Sequence, residues 1–238
     1  MNFYKSFSGG FLMSVSWGKI INSINEQSNK FLIAVSGGVD SMLLLDVINK
    51  SSIPKTNYMV VHFDHGIRDD STDDARFVKQ TCEGHGIKCL VGMTNDLKGK
   101  SNLEKLAREA RWGYFENTAK LNGYDTVLTA HHLNDYVENY IMGNIRGISF
   151  DACVMPRLWR SNGVFRFKPW LMEINKKEIY EISKYRNIEW REDYTNKEND
   201  NLRNTVRNII VPEMMKSHNV LKTIPNVISS IERKCKNA

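Results

Sequence analysis

The sequence has few cysteines and no C-x-x-C pair. Its four thiols, Cys82, Cys89, Cys153 and Cys235, are scattered along the chain. This pattern is not typical of a disulfide framework or of a zinc site, and it indicates reduced thiols. No apolar run approaches the length of a membrane span, and the opening residues, MNFYKSFSGGFLMSVSWG, contain no clear signal-peptide core or cleavage site. We therefore expect a cytoplasmic protein without membrane contact.

Two common phosphate-binding motifs are also missing. The chain contains neither G-x-x-x-x-G-K-[ST] nor G-x-G-x-x-G, which excludes the usual P-loop and dinucleotide-binding fingerprints. The H-E-x-x-H spacing of many zinc enzymes is absent as well. If the chain binds a phosphate, it does so with a different loop.

A glycine-containing turn between two apolar runs is the strongest local signal. Phe31 to Val35 predicts a buried strand, and Met42 to Val47 predicts the first part of a helix. Between them stand six residues that we predict to form a phosphate cradle: Ser36, Gly37, Gly38, Val39, Asp40 and Ser41. A helix N-terminus after such a turn offers free N–H groups and a positive dipole end to an anion. Asp40 is suited to hold Mg²⁺ beside that anion. The alternative is an ordinary glycine-rich turn.

Predicted strands and helices alternate through the first 130 residues. The strands are Phe31–Val35, Tyr58–Phe63, Ile87–Val91 and Thr126–Thr129, and capping patterns precede the helices that follow residues 71 and 101. Alternation predicts an α/β fold with a doubly wound, mostly parallel sheet. Ligands of such sheets bind beyond the carboxyl ends of the strands. The loops Ser36–Ser41, His62–Arg68 and Ala130–Glu138 should therefore converge.

The later chain predicts different structure. Asn162-Gly163 lies between alternating residues and predicts a hairpin turn, and Asn175 to Glu178 predicts the start of a helix. A polar segment runs from Arg191 to Arg207, and a helical extension follows from Val220 with Pro225 in its first turn. We expect two regions, a catalytic core over residues 1–150 and a basic, mostly helical extension over residues 151–238.

The charge is unevenly distributed between these regions. Residues 1–150 contain 16 Lys/Arg and 16 Asp/Glu, whereas residues 151–238 contain 17 and 11, so the whole net charge of +6 belongs to the second region. A basic flank beside a neutral core indicates a polyanionic partner. A solvated basic surface without a partner is the alternative.

A polar run follows the fourth predicted strand. If it begins a helix, His131, Asp135 and Glu138 share one face because they stand at i, i+4 and i+7. Two carboxylates can bind an ammonium group or a metal ion, and the histidine can exchange a proton near neutral pH. A substrate and catalytic site is the favoured interpretation. A zinc site and a solvated helix start with favourable acids remain as alternatives.

Several motifs together resemble one family. AVSGGVDS resembles the pyrophosphate loop of the PP-loop ATP pyrophosphatase superfamily. With VHFDHGIRDDSTDDARFV, LEKLAREARWGYF, LTAHHLNDYVENYIMGNIRG and the blocks between Phe167 and Pro212, the chain is similar to the N-terminal domain of the tRNA(Ile)-lysidine synthetase family. Lys168 stands where that family usually has arginine, which keeps the charge but not the bidentate geometry.

The resemblance implies a fold of the adenine nucleotide alpha hydrolase type and an ATP-dependent ligase. Such enzymes attach L-lysine to carbon 2 of the wobble cytidine of tRNA(Ile) with a CAU anticodon, through an adenylated cytidine, and release AMP and diphosphate. It also implies ATP and Mg²⁺ as cofactors. It leaves the oligomeric state open, a homodimer included.

The resemblance assigns roles residue by residue. It implies catalytic roles for Asp40, His131, Asp135, Glu138 and Arg203. It implies that the nucleotide is bound by the cradle together with His62, His65 and Arg68. The residues that it implies for binding lysine and tRNA are Asp135, Glu138, Arg108, Arg111, Arg203 and Arg207. Asp40 is the metal ligand.

Three other functions remain open at this point. A tRNA thiolase of the same superfamily usually carries C-x-x-C pairs, and ammonia-using synthetases do not explain the blocks after residue 167. An RNA-binding protein with a decayed ATP site would not be expected to keep Asp40 and the acidic pair.

Family members usually continue into C-terminal domains that bind tRNA, whereas this chain has little beyond Val220. We expect the basic flank to compensate, or the selection of tRNA to be looser.

Overall fold

The structure is a computed structural model that describes residues 15–66, 71–94, 103–192 and 201–236. It confirms the predicted α/β class, with a mostly parallel sheet, flanking helices and a helical C-terminal region. Arg68 and the D-x-T-N block at residues 193–196 lie outside the described residues.

Six strands form one sheet in the order β3-β2-β1-β4-β6-β5. The strands are β1 (Phe31–Ala34), β2 (Tyr58–Asp64), β3 (Cys89–Met93), β4 (Thr126–Leu128), β5 (Leu158–Ser161) and β6 (Val164–Phe167). All neighbouring pairs are parallel except the β5–β6 hairpin. The central strand β1 carries only buried or half-buried side chains, as expected for a parallel strand that is covered on both faces.

Helices connect and extend this sheet. They are α1 (Trp17–Gln27), α2 (Val39–Asn49), α3 (Ser71–Gly84), α4 (Leu103–Leu121), α5 (Leu133–Ile145), α6 (Phe150–Cys153), α7 (Lys176–Tyr185), α8 (Leu202–Thr205), α9 (Val211–Ser217) and α10 (Val220–Lys236). A 3-10 turn at Lys55–Asn57 precedes β2, and a π-helical turn at Val206–Ile210 joins α8 to α9. Apolar residues at helical spacing bury one side of α1, namely Trp17, Ile20, Ile21 and Ile24.

Two local predictions were wrong. The third strand was expected at Ile87–Val91 but runs from Cys89 to Met93, because the backbone before it closes the end of α3, where Ile87 N donates to Cys82 O at 2.9 Å. Pro225 was expected in the first turn of the last helix but lies inside α10. Residues 202–207 belong to the predicted polar segment, for which no secondary structure was predicted, and they are helical.

The chain divides into two compact units that alternate along the sequence. The first unit carries the sheet and contains the described residues up to Ala130 with Arg157–Pro169 and Glu178–Arg191. The second unit contains His131–Pro156, Trp170–Lys177 and the described residues from Glu192 onward. A core on one face of the sheet includes Leu32, Met59, Trp112 and Phe115. The second unit has its own core, which includes Val137, Leu171, Val206 and Ile228. The division of roles at residue 150 stays a prediction.

The structure describes three of the four cysteines and every helix in its described residues. Cys82, Cys89 and Cys153 are free thiols. Among the described residues, every helix is too short or too polar to cross a lipid bilayer.

A close approach of α5 to α6 makes Gly143 sensitive to substitution. A Cβ atom there would stand 2.9 Å from Cβ and 3.0 Å from Cα of Cys153. We expect Gly143→Ala to lower the free energy of unfolding in urea by about 1–3 kcal/mol, because overpacking forces the two helices apart.

Gly113 provides the matched control. It also lies inside a helix, α4, but a Cβ atom there meets nothing within 4 Å. Gly113→Ala should leave stability unchanged or raise it by up to ~1 kcal/mol, through lower entropy of the unfolded chain. If both variants lose the same free energy of unfolding, the contact with Cys153 is not the cause of the loss.

Candidate functional site

The predicted cradle is a tight turn between β1 and α2. Gly37 has φ 92, a conformation that favours glycine, and Gly38 is the N-cap of α2 with an extended backbone. Val39 is buried under the turn, and Asp40 lies in the first turn of the helix. The sequence therefore forms the predicted strand, turn and helix N-terminus, which is the geometry that binds phosphate groups.

Two serines hold the turn in shape. Ser36 N donates to Ser41 Oγ at 3.1 Å, and Ser41 Oγ donates to Gly38 O at 3.0 Å. The two hydroxyls are 3.2 Å apart, and Gly38 N donates to Ser36 Oγ at 3.4 Å. These bonds fix the backbone before any ligand arrives, which lowers the entropy that binding would cost.

Residues distant in sequence support the turn. Arg191 N donates to Gly37 O at 3.0 Å, and the Arg191 side chain pairs with Asp74 on α3. Phe77 and Val78, also on α3, would lie in ordinary van der Waals contact with a Cβ atom at Gly37, at 3.7 and 3.5 Å. A side chain at this position would strain the backbone, because the φ angle of Gly37 lies in the region that favours glycine.

The histidines predicted to bind the nucleotide are not equivalent. His62 is buried on β2, its Nδ1 lies 2.8 Å from Val35 O, and burial lowers its pKa. His65 follows the strand and packs edge-on against Phe63, with 5.0 Å between ring centroids. Burial, then the nearby Arg111, lowers the pKa of His65 to about 4. At neutral pH His65 is therefore an uncharged hydrogen-bonding group.

Cations from α4 and β6 lie on the same unit. Arg108 and Arg111 are on α4, and Lys168 directly follows β6. Burial, followed by repulsion from Arg108 and Arg166, lowers the pKa of Lys168 to about 8. The structure therefore brings the two arginines that were predicted to bind substrate near Lys168 and His65, respectively.

The acidic site begins at the N-terminus of α5. His132 is the N-cap residue, and its backbone N–H donates to Asp135 Oδ2 at 3.0 Å. Burial raises the pKa of Asp135, but His132, His131 and Arg207 outweigh burial and lower the pKa to about 2. Asp135 is therefore ionised at neutral pH.

Glu138 lies one turn further along α5 and is only 3% exposed. Arg207 from the π-helical turn donates to both of its oxygens, with Nε 3.0 Å from Oε1 and Nη2 2.8 Å from Oε2. The same Nη2 lies 3.2 Å from Asp135 Oδ1. Burial raises the pKa of Glu138 despite this pairing. One guanidinium thus joins both predicted lysine-binding carboxylates.

Sequence reasoning missed this ion pair. Arg207 was predicted to bind substrate phosphates, and nothing in its spacing from Glu138 indicated contact across 69 residues. It also missed Asn134, whose Oδ1 accepts from Lys176 N at 2.9 Å at the start of α7. His131 and Arg203 are half-buried on the same unit as the acidic pair.

The cradle and the acidic pair belong to different compact units, so their predicted convergence stays a prediction. Within the part of the chain that the structure describes, no group of three or more His, Cys, Asp or Glu side chains is arranged to hold a metal ion. The zinc alternative for the His131 segment therefore gains no support, whereas Mg²⁺ at Asp40 needs only one protein carboxylate when phosphates supply other ligands.

Comparison with known proteins gives consistent relatives. The chain is 32% identical over 186 residues to a tRNA(Ile)-lysidine synthase of Staphylococcus aureus, covering 76% of this chain and 43% of that protein. A protein with the same name from Thermotoga maritima is 35% identical over 198 residues, covering 79% and 46%. The chain thus spans less than half the length of these curated relatives.

Solved structures with low sequence identity share the fold. A U34-tRNA thiolase of Methanococcus maripaludis superposes with a TM-score of 0.73 at 20% identity, covering 93% of this chain and 79% of that one. An NH3-dependent NAD synthetase of Campylobacter jejuni superposes with a TM-score of 0.53 at 14% identity, covering 90% and 94%. The PP-loop domain family matches residues 13–214, which include the cradle and the acidic pair. This chain belongs to the PP-loop domain family.

Proposed function

We propose that this chain uses ATP to ligate L-lysine to carbon 2 of the wobble cytidine in a tRNA(Ile) with a CAU anticodon. The observation that carries the proposal is the similarity to proteins named tRNA(Ile)-lysidine synthase over 76–79% of the chain. The geometry of these two sites supports it. In the first step the cytidine O2 attacks the α-phosphorus and diphosphate leaves; in the second the lysine ε-amine attacks carbon 2, AMP leaves and a proton is released.

The cradle would bind the diphosphate portion of ATP. Its N–H groups and the dipole of α2 favour negative charge, and Ser36 and Ser41 add hydroxyls. Bound Mg²⁺ would neutralise charge that develops on the leaving diphosphate. Asp40 is the residue that would hold it, because this carboxylate lies in the first turn of the same helix.

The charge of the acidic pair suits one ammonium group. When Asp135 and Glu138 are both ionised they carry two negative charges, and Arg207 cancels one. The remaining negative charge matches a single lysine amino group. Because carboxylate oxygens accept several hydrogen bonds, an ammonium can bind beside Arg207 without displacing it.

His131 would assist the second step. It precedes α5 and lies close enough to Asp135 to influence the pKa of that carboxyl group. An imidazole so placed can orient the amine or accept its proton near neutral pH. Arg203 and the cations Arg108 and Arg111 would contribute to binding the tRNA or the adenylated nucleotide.

The activity is tested by incubating the chain with ATP, radiolabelled lysine and CAU-anticodon tRNA(Ile). We expect label in the anticodon loop, with a mass gain of one lysine minus one water at the wobble cytidine, and release of AMP and diphosphate. Asp40→Asn should reduce diphosphate release at least tenfold because charge on the leaving group is less well neutralised.

Glu83→Gln is the matched control, because Glu83 is an exposed acid on α3. It should retain the wild-type rate. Diphosphate release without any modified cytidine, even with lysine present, would contradict the proposed reaction while leaving ATP cleavage established.

Glu138 offers a sharper test of lysine binding. Glu138→Gln leaves the amide able to accept from Arg207 but removes the charge that attracts an ammonium. We expect the KM for lysine to rise roughly tenfold or more, since a hydrogen bond to a charged group contributes about 1.5–3 kcal/mol. Glu213→Gln, an exposed acid on α9, should not change it.

The pH dependence follows from the raised pKa of Glu138. Because this carboxyl group takes up a proton at a higher pH than a free glutamate, the KM for lysine should rise as the pH falls through the acidic range. Asp135, with a pKa of about 2, stays ionised there. If the KM for lysine of Glu138→Gln rises in the same way as the pH falls, a group other than Glu138 causes that rise.

A further inference from the structure

The β5–β6 hairpin forms one edge of the sheet, and its edge strand exposes large side chains. Among the described strands, β5 pairs only with β6, so it forms an edge of the sheet. Its residues Leu158, Trp159 and Arg160 are all exposed. Edge strands usually avoid large exposed apolar groups, because such groups promote aggregation. Trp159 is nonetheless 56% exposed. This indole is therefore a candidate contact for a partner.

Trp159 lies on the face of the hairpin that α4 covers in part. Its cross-strand partner is Arg166, and opposite residues of an antiparallel pair point to the same face. On that face the Arg166 guanidinium stacks over the ring of Trp112, 3.9 Å from its centroid, and donates to Glu116 at 3.0 Å from Nε. The indole thus stands across the hairpin from an arginine that is itself stacked and hydrogen-bonded.

The surroundings of Trp159 are basic. No Asp or Glu occurs between Asp151 and Glu173, whereas Arg157, Arg160, Arg166 and Lys168 do. Glu116 cancels the charge of Arg166. Arg160 stacks over Phe165, 5.2 Å from its centroid, and this pair lies on the opposite face of the hairpin from Trp159. The hairpin as a whole is therefore basic, and on the face of Trp159 its positive charge beyond the Arg166–Glu116 pair is that of Lys168.

Lys168 extends this surface on the same face. It follows Arg166 by two residues, and Lys168 N donates to Arg157 O at 2.9 Å, so the strand pairing continues to this point. Arg108 lies two helical turns before Glu116 on the same side of α4. Because Arg166 meets Trp112 and Glu116, Lys168 points toward Arg108. Trp159 and Lys168 are diagonal neighbours across the strands, within reach of long side chains.

We propose that this face of the hairpin binds single-stranded RNA, with Trp159 stacking on an unpaired base and Lys168 and Arg108 binding adjacent phosphates. Proteins hold unpaired nucleotides by aromatic stacking on bases and by cations along the backbone. The inference rests on the proposed function, which it extends by assigning the surface that holds an unpaired stretch of the tRNA. Repulsion between arginines disfavours pairing of two copies through the same edge.

The first experiment measures RNA binding without ATP or lysine. A fluorescent CAU anticodon stem–loop is titrated with the wild-type chain, Trp159→Ala and Trp159→Phe. We expect Trp159→Ala to weaken binding at least fivefold, as loss of a stacked base does, and Trp159→Phe to retain most of the affinity. Tyr185→Ala is the matched control, because Tyr185 is an aromatic residue that is 58% exposed on α7; it should change affinity less than twofold.

Tryptophan fluorescence gives a second readout. Trp17, Trp112 and Trp170 are buried and Trp190 is half-buried, so Trp159 is the most exposed indole of the described chain. The stem–loop should quench wild-type emission, and Trp159→Phe should abolish most of that quenching. A fully paired RNA hairpin of the same length should quench little, because it presents few unpaired bases.

Several outcomes would overturn the inference. One is wild-type affinity in Trp159→Ala, and another is absence of RNA binding by the wild-type chain. A third is altered self-association in sedimentation with unchanged RNA affinity, which would make the hairpin a subunit interface. Failure of lysine ligation alone, with Trp159-dependent RNA binding intact, would count against the proposed function and not against this surface.

Lys168 adds a test by pH and salt. Since its pKa is about 8, RNA affinity of the wild-type chain should fall between about pH 7 and about pH 9, whereas Lys168→Arg should keep its charge and flatten that decline. Lys168→Gln should reduce the slope of log affinity against log salt by about 0.7, the value for one contact to a single strand. The same pH curve in wild type and Lys168→Arg would exclude Lys168 from the contact.

Discussion

The buried carboxylate of Glu138 depends on the guanidinium of Arg207. A carboxylate that is 3% exposed is costly to keep charged, and the loss of one partner from such a pair typically costs about 3–5 kcal/mol. This ion pair connects α5 to a segment 69 residues later. The apolar residues around it, including Val137 and Val206, belong to one core. Formation of the acidic site and folding of the second unit are therefore coupled.

The π-helical turn determines where that guanidinium lies. A wider turn inside a helical segment changes the direction of its side chains, and such turns are frequent at functional sites. Here Arg207 reaches Glu138 with two donors and Asp135 with one. Its bidentate geometry is available to arginine and not to lysine. The segment from Leu202 to Ile210 thus supports the acidic pair in the same way that α3 supports the cradle.

Sequence reasoning succeeded where the signal was local. The cradle was predicted because Gly37, Gly38 and the two serines lie in one short stretch, and the parallel sheet because buried strands alternate with helices. It failed where the signal was distant. The contacts of Arg207 with Glu138 and of Arg191 with Asp74 join residues far apart in sequence, and no pattern in either segment specifies the partner. The start of β3 was misplaced because the closing turn of α3 uses residues with strand propensity.

The interior of the sheet and its β5 edge have different properties. β1 lies between β2 and β4, so the cradle follows a strand that is fixed on both sides. The β5–β6 hairpin lies at the end of the sheet, and β5 contributes only exposed and half-buried side chains. An interior strand can position a ligand with little freedom, whereas an end strand is accessible to a large partner. The same sheet therefore offers a rigid site and an accessible surface.

The hydrogen bond from Arg191 to Gly37 has an electrostatic consequence for the cradle. A peptide carbonyl beside a bound phosphate would repel it, because both present oxygen lone pairs. The carbonyl of Gly37 is occupied by the Arg191 N–H at 3.0 Å, and that of Gly38 by the Ser41 hydroxyl at 3.0 Å. With both oxygens engaged elsewhere, donors dominate the local field of the turn. Arg191 thus contributes to the anion preference of the turn through its backbone N–H group.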